Sequence, residues 1–217
     1  MFAMKILAVS DDIVPWIHSA QLEERCADVD VIISCGDLPF DYMDFIVARL
    51  NKPAYFVHGN HDPSPERGNE TKKLNPDGWI NLDVKRERQG NFRLTGLEGC
   101  HRYKNDGVHQ YTQSEQWLRG FWLARQMAQG LPRWGRGTDI MVTHSPMRGI
   151  HDATDQAHQG FDAFNWLAKS FQPRLWLHGH QHRTYNPLQK GETQLGNTLV
   201  VNVHPYRILE LEDVCRG

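Results

Sequence analysis

The sequence predicts an α/β fold, with two layers of β-sheet and helices outside them. Three observations predict it. Short apolar runs alternate with helical stretches over the first 57 residues, which is the pattern of βαβ units and a parallel sheet. The same alternation resumes at residue 139 and runs to residue 211. A chain of 217 residues, 40% hydrophobic and 23% charged, can build one sizeable core and is short for two. It therefore reads as a single domain over residues 1–217.

Met4 to Val9 is a buried strand with a polar exit at Ser10-Asp11. Trp16, Ala20 and Leu22 line one side of a helical pattern, with Glu23, Glu24 and Arg25 outside, so a helix is expected over Pro15 to Ala27. Val31 to Ser34 is a strand stopped by Gly36, Tyr42 to Leu50 a helix, and Pro53 to Val57 a strand stopped by Gly59. Pro63 to Gly78 is polar and interrupted by proline and glycine, and reads as a loop. Trp79 to Asp83 and Asn91 to Leu97 read as shorter strands, and Gly99 to Tyr111 as a surface loop. Thr112 to Gln129 is a helix that Thr112 or Ser114 can cap. The order then runs Asp139 to Thr143 (strand), Arg148 to Gln159 (polar loop), Phe161 to Phe171 (helix) and Arg174 to Leu177 (strand). Thr198 to Val203 and Tyr206 to Leu211 close it as strands.

Net charge is −2 and the pI is near 6.6, so no basic excess advertises a nucleic-acid surface. The four cysteines (Cys26, Cys35, Cys100, Cys215) form no close pair, which argues against a thiolate metal cage and for reduced, mostly buried thiols. No apolar run approaches the roughly 18 residues of a membrane span, so a cytoplasmic protein without a membrane partner is expected. Nothing in the sequence points to an oligomeric state.

The chemistry sits where the apolar runs stop. An acidic pair, Asp11-Asp12, follows the first run. Then come Gly36-Asp37, Gly59-Asn60-His61-Asp62, Thr143-His144-Ser145 and His178-Gly179-His180-Gln181-His182. Taken alone, Gly36-Asp37 reads as a turn and His144 as an interior imidazole. Together they offer carboxylate, amide and imidazole donors at one rim of a sheet, a set that suits manganese, iron or zinc. Asp37 can bridge two cations, and Asn60 fills a coordination position without adding charge. His61 can act as an acid toward a leaving group, with Asp62 holding its imidazole in one tautomer. His180 and His182 face the same way in extended backbone and form a natural metal clamp. His178 shares their period and reads as a neighbour of the cluster. His58, His101, His151 and His158 read as solvated, and Arg102 and Arg148 as surface charges.

This order of motifs resembles the calcineurin-like metallophosphoesterase superfamily. The likeness covers Asp11 to His182, with gaps of about two dozen residues from Asp11 to Gly36 and from Asp37 to Gly59. It implies a β-sandwich of two mixed sheets flanked by helices, and two divalent metal ions. It assigns Asp11, Asp37 and His182 to a first metal, Asp37, Asn60, His144 and His180 to a second, and catalysis to His61. The implied activity is hydrolysis of a small-molecule phosphate mono- or diester by a metal-activated hydroxide. A nuclease is a variant of the same chemistry, and a scaffold that kept the fold and lost activity is a further alternative. One position departs from the pattern. The family's first motif is Asp-x-His, and here its third residue is Ile13, which cannot ligate. The first site is therefore expected to bind more weakly, or to use water or Asp12, although Asp12 can reach it only through a turn.

Overall fold

The computed structural model describes residues 3–63, 73–129, 137–182 and 191–212. One sheet holds β1 (Ala3–Val9), β2 (Val31–Ser34), β3 (Ala54–Phe56) and β4 (Trp79–Asn81), parallel to one another, with β13 (Tyr206–Glu212) antiparallel beside β1. The other holds β5 (Arg86–Gln89), β6 (Phe92–Leu97), β9 (Ile140–Thr143), β10 (Leu175–His178), β11 (Glu192–Leu195) and β12 (Thr198–Asn202). Its order is β11-β12-β10-β9-β6-β5, parallel inside and antiparallel at both edges. Both sheets are mixed, as expected.

The two faces of each strand explain the unbroken apolar runs. Ile6, Ala8, Val31, Ile33 and Tyr55 point inward and meet Leu94, Ile140, Val142, Leu177 and Val201 of the facing sheet. Leu7, Val9, Ile32 and Phe56 point outward against Leu22 of helix α1 (Gln21–Cys26) and Met43 and Ile46 of α2 (Phe40–Leu50). On the other side Met141, Trp176 and Val200 pack against Leu123 of α3 (Gln113–Ala128) and Phe164 and Leu167 of α4 (Asp162–Phe171). Each fully buried aliphatic side chain contributes about 1.5–3 kcal/mol over an exposed one, so this three-layer burial holds the strand ends at fixed positions.

The register brings those ends to one rim. Val9 pairs with Ser34 and Ser34 with Phe56, while Leu97 pairs with Thr143 and His178 with Asn202. The loops carrying the polar motifs leave from the carboxyl ends of parallel strands, where open α/β sheets bind ligands.

Several elements differ from expectation. The helix expected over Pro15 to Ala27 is only α1. The Ser19 hydroxyl donates to the Trp16 carbonyl and accepts from the Gln21 N–H, closing a turn that takes up the residues before it. The stretch expected as a surface loop pairs with itself: β7 (Cys100–His101) lies parallel to β8 (Gln110–Tyr111). The strands β5 and β11 are polar and lie at sheet edges, where an apolar run is not required. Thr112 is the cap of α3, in a reciprocal capping box with Glu115. Cys26, Cys35 and Cys100 are free and buried, whereas Cys215 and residues 64–72 of the expected loop lie outside the described residues. Among the described residues no helix is long and apolar enough to cross a membrane.

Candidate metal centre

The buried half of the rim is built from β2, β3, β9 and β10. The His144 Nδ1–H donates to the Cys35 carbonyl at 2.7 Å, which leaves Nε2 with its lone pair outward. That nitrogen lies 3.2 Å from Asp37 Oδ2 and 3.2 Å from Asn60 Oδ1. The Asn60 amide is oriented by its NH₂ group, which donates to the Tyr103 hydroxyl at 3.2 Å. The His180 Nε2 faces the Ala157 carbonyl at 2.8 Å, so Nε2 carries the proton and Nδ1 is the free donor nitrogen. One donor atom each from Asp37, His144 and His180 lies within 4.8 Å of the others.

Three acceptors therefore converge with no hydrogen between them, and only a cation or a proton can relieve them. The proton alternative is visible in the titration. Burial works to lower the His144 imidazole, but the facing Asp37 outweighs it and raises the group to about 9. Burial works to raise the Asp37 carboxyl, but His144 and the His61 N–H outweigh it and hold it well below the ordinary carboxylate range. Burial, then the charge of His144, pull His180 down to about 3, so it stays neutral. A neutral oxygen, a carboxylate and imidazoles with anchored far nitrogens are donors that fit a divalent ion.

The motif glycines are there because the strand exits touch. A Cβ on Gly59 would stand 2.0 Å from Asp37 Oδ1, and one on Gly179 would stand 1.9 Å from Ser10 Oγ. Asp11, Asp37 and His180 adopt positive φ of 66°, 57° and 65°. Such conformations cost energy in non-glycine residues and concentrate at functional sites.

The outer half of the rim is more open. Asp11 accepts from the His180 N–H through both carboxylate oxygens, at 3.1 and 3.0 Å. His182 Nε2 is 3.9 Å from Asp11 Oδ1. Positive φ at Asp11 supplies the turn that Asp12 needs, and Ile13 points to solvent, 48% exposed. Asp12 Oδ2 lies 2.8 Å from His204 Nε2, and the His204 ring centre is 4.5 Å from that of His182.

His61 is exposed at the lip, its N–H donating to Asp37 Oδ1 at 2.8 Å. Asp62 departs from the expected role. Its carboxylate accepts from the Gly59 and Asp37 N–H groups at 2.8 and 3.1 Å, and among the described contacts none joins it to the His61 ring. Turning inward to tie two loops together is incompatible with standing behind an exposed ring. Burial, then the nearby Asp37 charge, raise its carboxyl to about 6.

Two histidines expected to be solvated, His58 and His151, are buried. The rings of His58 and His109 stack at 4.4 Å, and both Nδ1 atoms reach Glu98 at 2.9 and 3.0 Å. Their Nε2 atoms face the Leu74 and Pro63 carbonyls. Parallel rings cannot aim their in-plane lone pairs at one ion, so this is a hydrogen-bonded brace behind the Gly59–Asp62 turn. His151 pairs with the buried His178 at 2.8 Å. Sequence reasoning missed Tyr103, Glu98 and His204. For His204 the signal was present, since it follows a strand just as His144 does. For the other two no motif exists.

The family model of the calcineurin-like phosphoesterases matches residues 4–184, and the chain belongs to that family. Metallophosphoesterase domain-containing protein 1 of Homo sapiens is 33% identical over 91 residues, covering 39% of this chain and 28% of that protein. UPF0046 protein K07C11.7 of Caenorhabditis elegans is 23% identical over 212 residues, covering 92% of this chain and 70% of that protein. A crystal structure with 17% sequence identity superimposes with a TM-score of 0.63, covering 96% of this chain and 95% of that one, a likeness of fold.

Proposed function

We propose that this protein is a metal-dependent hydrolase of small phosphate esters, mono- or diesters, working at a pair of divalent ions around Asp37. One observation carries this reading: the buried His144 Nε2 lies 3.2 Å from both Asp37 Oδ2 and Asn60 Oδ1 in a chain from this family. In this reading Asp37, Asn60, His144 and His180 hold one ion, and Asp11, Asp37 and His182 the other. Manganese, iron and zinc suit these oxygen and nitrogen donors. Bound there, the ions supply Lewis acidity toward phosphate oxygens and lower the pKa of water toward neutrality.

The chain's own groups do the rest. Cys35, Tyr103 and Ala157 orient the donors, which preorganises the pocket. Asp62 fixes the Gly59 and Asp37 turns against each other. The exposed His61 imidazole stands at the lip, where it can pass a proton to a leaving oxygen. A nuclease would need a basic groove, which the net charge of −2 does not promise.

The missing donor at Ile13 favours one other reading, a binding protein that kept the fold and lost turnover. A metal-dependence screen on generic phosphate mono- and diesters separates the two. Turnover that depends on an added divalent ion supports the hydrolase, and folded protein inert with every divalent ion supports the binding protein.

A further inference from the structure

We propose that His204 is a protein donor to the outer cation, supplying the imidazole that Ile13 cannot, with Asp12 beside it. The inference rests on the two-ion reading above and says how its weaker half is completed. Three observations carry it. Positive φ at Asp11 breaks the strand, so residue 13 faces solvent while Asp12 turns back toward the rim. His204 arrives from the carboxyl end of β12, next to the strand that delivers the His178–His182 segment, and the Val203 N–H donates to the His178 carbonyl at 2.8 Å. That register sets an almost fully buried imidazole, 2% exposed, at the mouth of the site. Finally, donor atoms of Asp12, His182 and His204 all lie within 4.8 Å of one another, and His182 is 3.9 Å from Asp11.

These four residues give two carboxylates and two imidazoles, a donor set matched to a divalent ion of the zinc or manganese type. The missing histidine is thus replaced from a different strand, nearly two hundred residues further along the chain. A plain Asp12–His204 hydrogen bond is the alternative account of the 2.8 Å contact, and metal titration decides between the two.

The test is manganese titration of chelator-stripped full-length protein, with bound metal counted by elemental analysis. Wild type is expected to bind two equivalents. His204→Ala should keep one and weaken the other by roughly 1,000-fold or more, beyond the 10–100-fold expected from losing a group behind a ligand. His144→Ala should show the mirror image. Cobalt substitution adds a second readout, a change in the d–d spectrum of the outer ion in His204→Ala. A folded His204→Ala that holds both equivalents at wild-type affinity overturns the proposal and leaves the two-ion reading standing. Wild type that binds fewer than two equivalents overturns both. Should His204→Ala not fold, Asp12→Asn decides, because its side chain is 53% exposed. At least tenfold weaker outer binding is then expected, and unaltered binding overturns the proposal.

Discussion

The two halves of the rim use similar donors and differ in how those donors are held. In the inner half, His144 and Asn60 are buried, and three donors are anchored from behind by Cys35, Tyr103 and Ala157. In the outer half Asp11 is buried, but His182 is 30% and Asp12 53% exposed. Preorganised donors lose little freedom on binding, whereas exposed ones must first be ordered. The inner seat should therefore bind tightly and the outer seat exchangeably, whatever the number of donors each offers.

The harshest way to break this comparison is to remove the carboxylate both halves share. Asp37→Ala should abolish both equivalents of metal and lower kcat/KM on a generic ester by roughly 1,000-fold or more, read by elemental analysis and steady-state kinetics. Retention of one ion would mean that Asp37 does not bridge. His61→Ala belongs to neither half and should separate chemistry from binding. Turnover should fall about 100- to 10,000-fold with both ions still bound, because a positioned acid contributes on that scale. Loss of metal in this variant would make His61 a ligand.

Smaller changes sharpen the comparison. Tyr103→Phe removes the hydroxyl that orients Asn60 and should weaken inner binding about 10- to 100-fold without touching the outer ion. A pH series tests the inner seat alone. His144 sits near 9 because Asp37 faces it, so below that pH a cation must displace a proton. Inner affinity should therefore rise about tenfold per pH unit from 7 to 9 and then level off. The protein without metal should behave in the opposite sense. Its folded-state His144 value lies above the unfolded value of 6.5, so this pair stabilises fully below 6.5 and the contribution fades as pH rises through about 9. Thermal melts with and without manganese across that range would read both trends.

Much of the molecule was legible in the sequence. The buried strands announced themselves because a strand covered on both faces must be apolar throughout, and Val31–Ser34 is such a strand to the residue. The convergence of Asp37, Asn60, His144 and His180 was legible because each lies within four residues of a strand end, and all but His144 directly follow a glycine. What stayed hidden was set by tertiary context. The polar edge strands β5 and β11 carry no apolar signal, and the turn at Ser19 depends on a hydroxyl that a periodicity count ignores. Asp62 was misjudged because adjacency in sequence suggested contact with His61, whereas its side chain turns the other way, into the loops. His58 and His151 looked solvated because burial of a lone histidine depends on partners, Glu98 and His178, that lie far away in the chain.

The most direct measurement is anomalous scattering from crystals grown with manganese. The account predicts a peak enclosed by Asp37 Oδ2, Asn60 Oδ1, His144 Nε2 and His180 Nδ1, with a second peak beside Asp11 and His182. A map with no peak among those first four atoms, at saturating manganese, would contradict it.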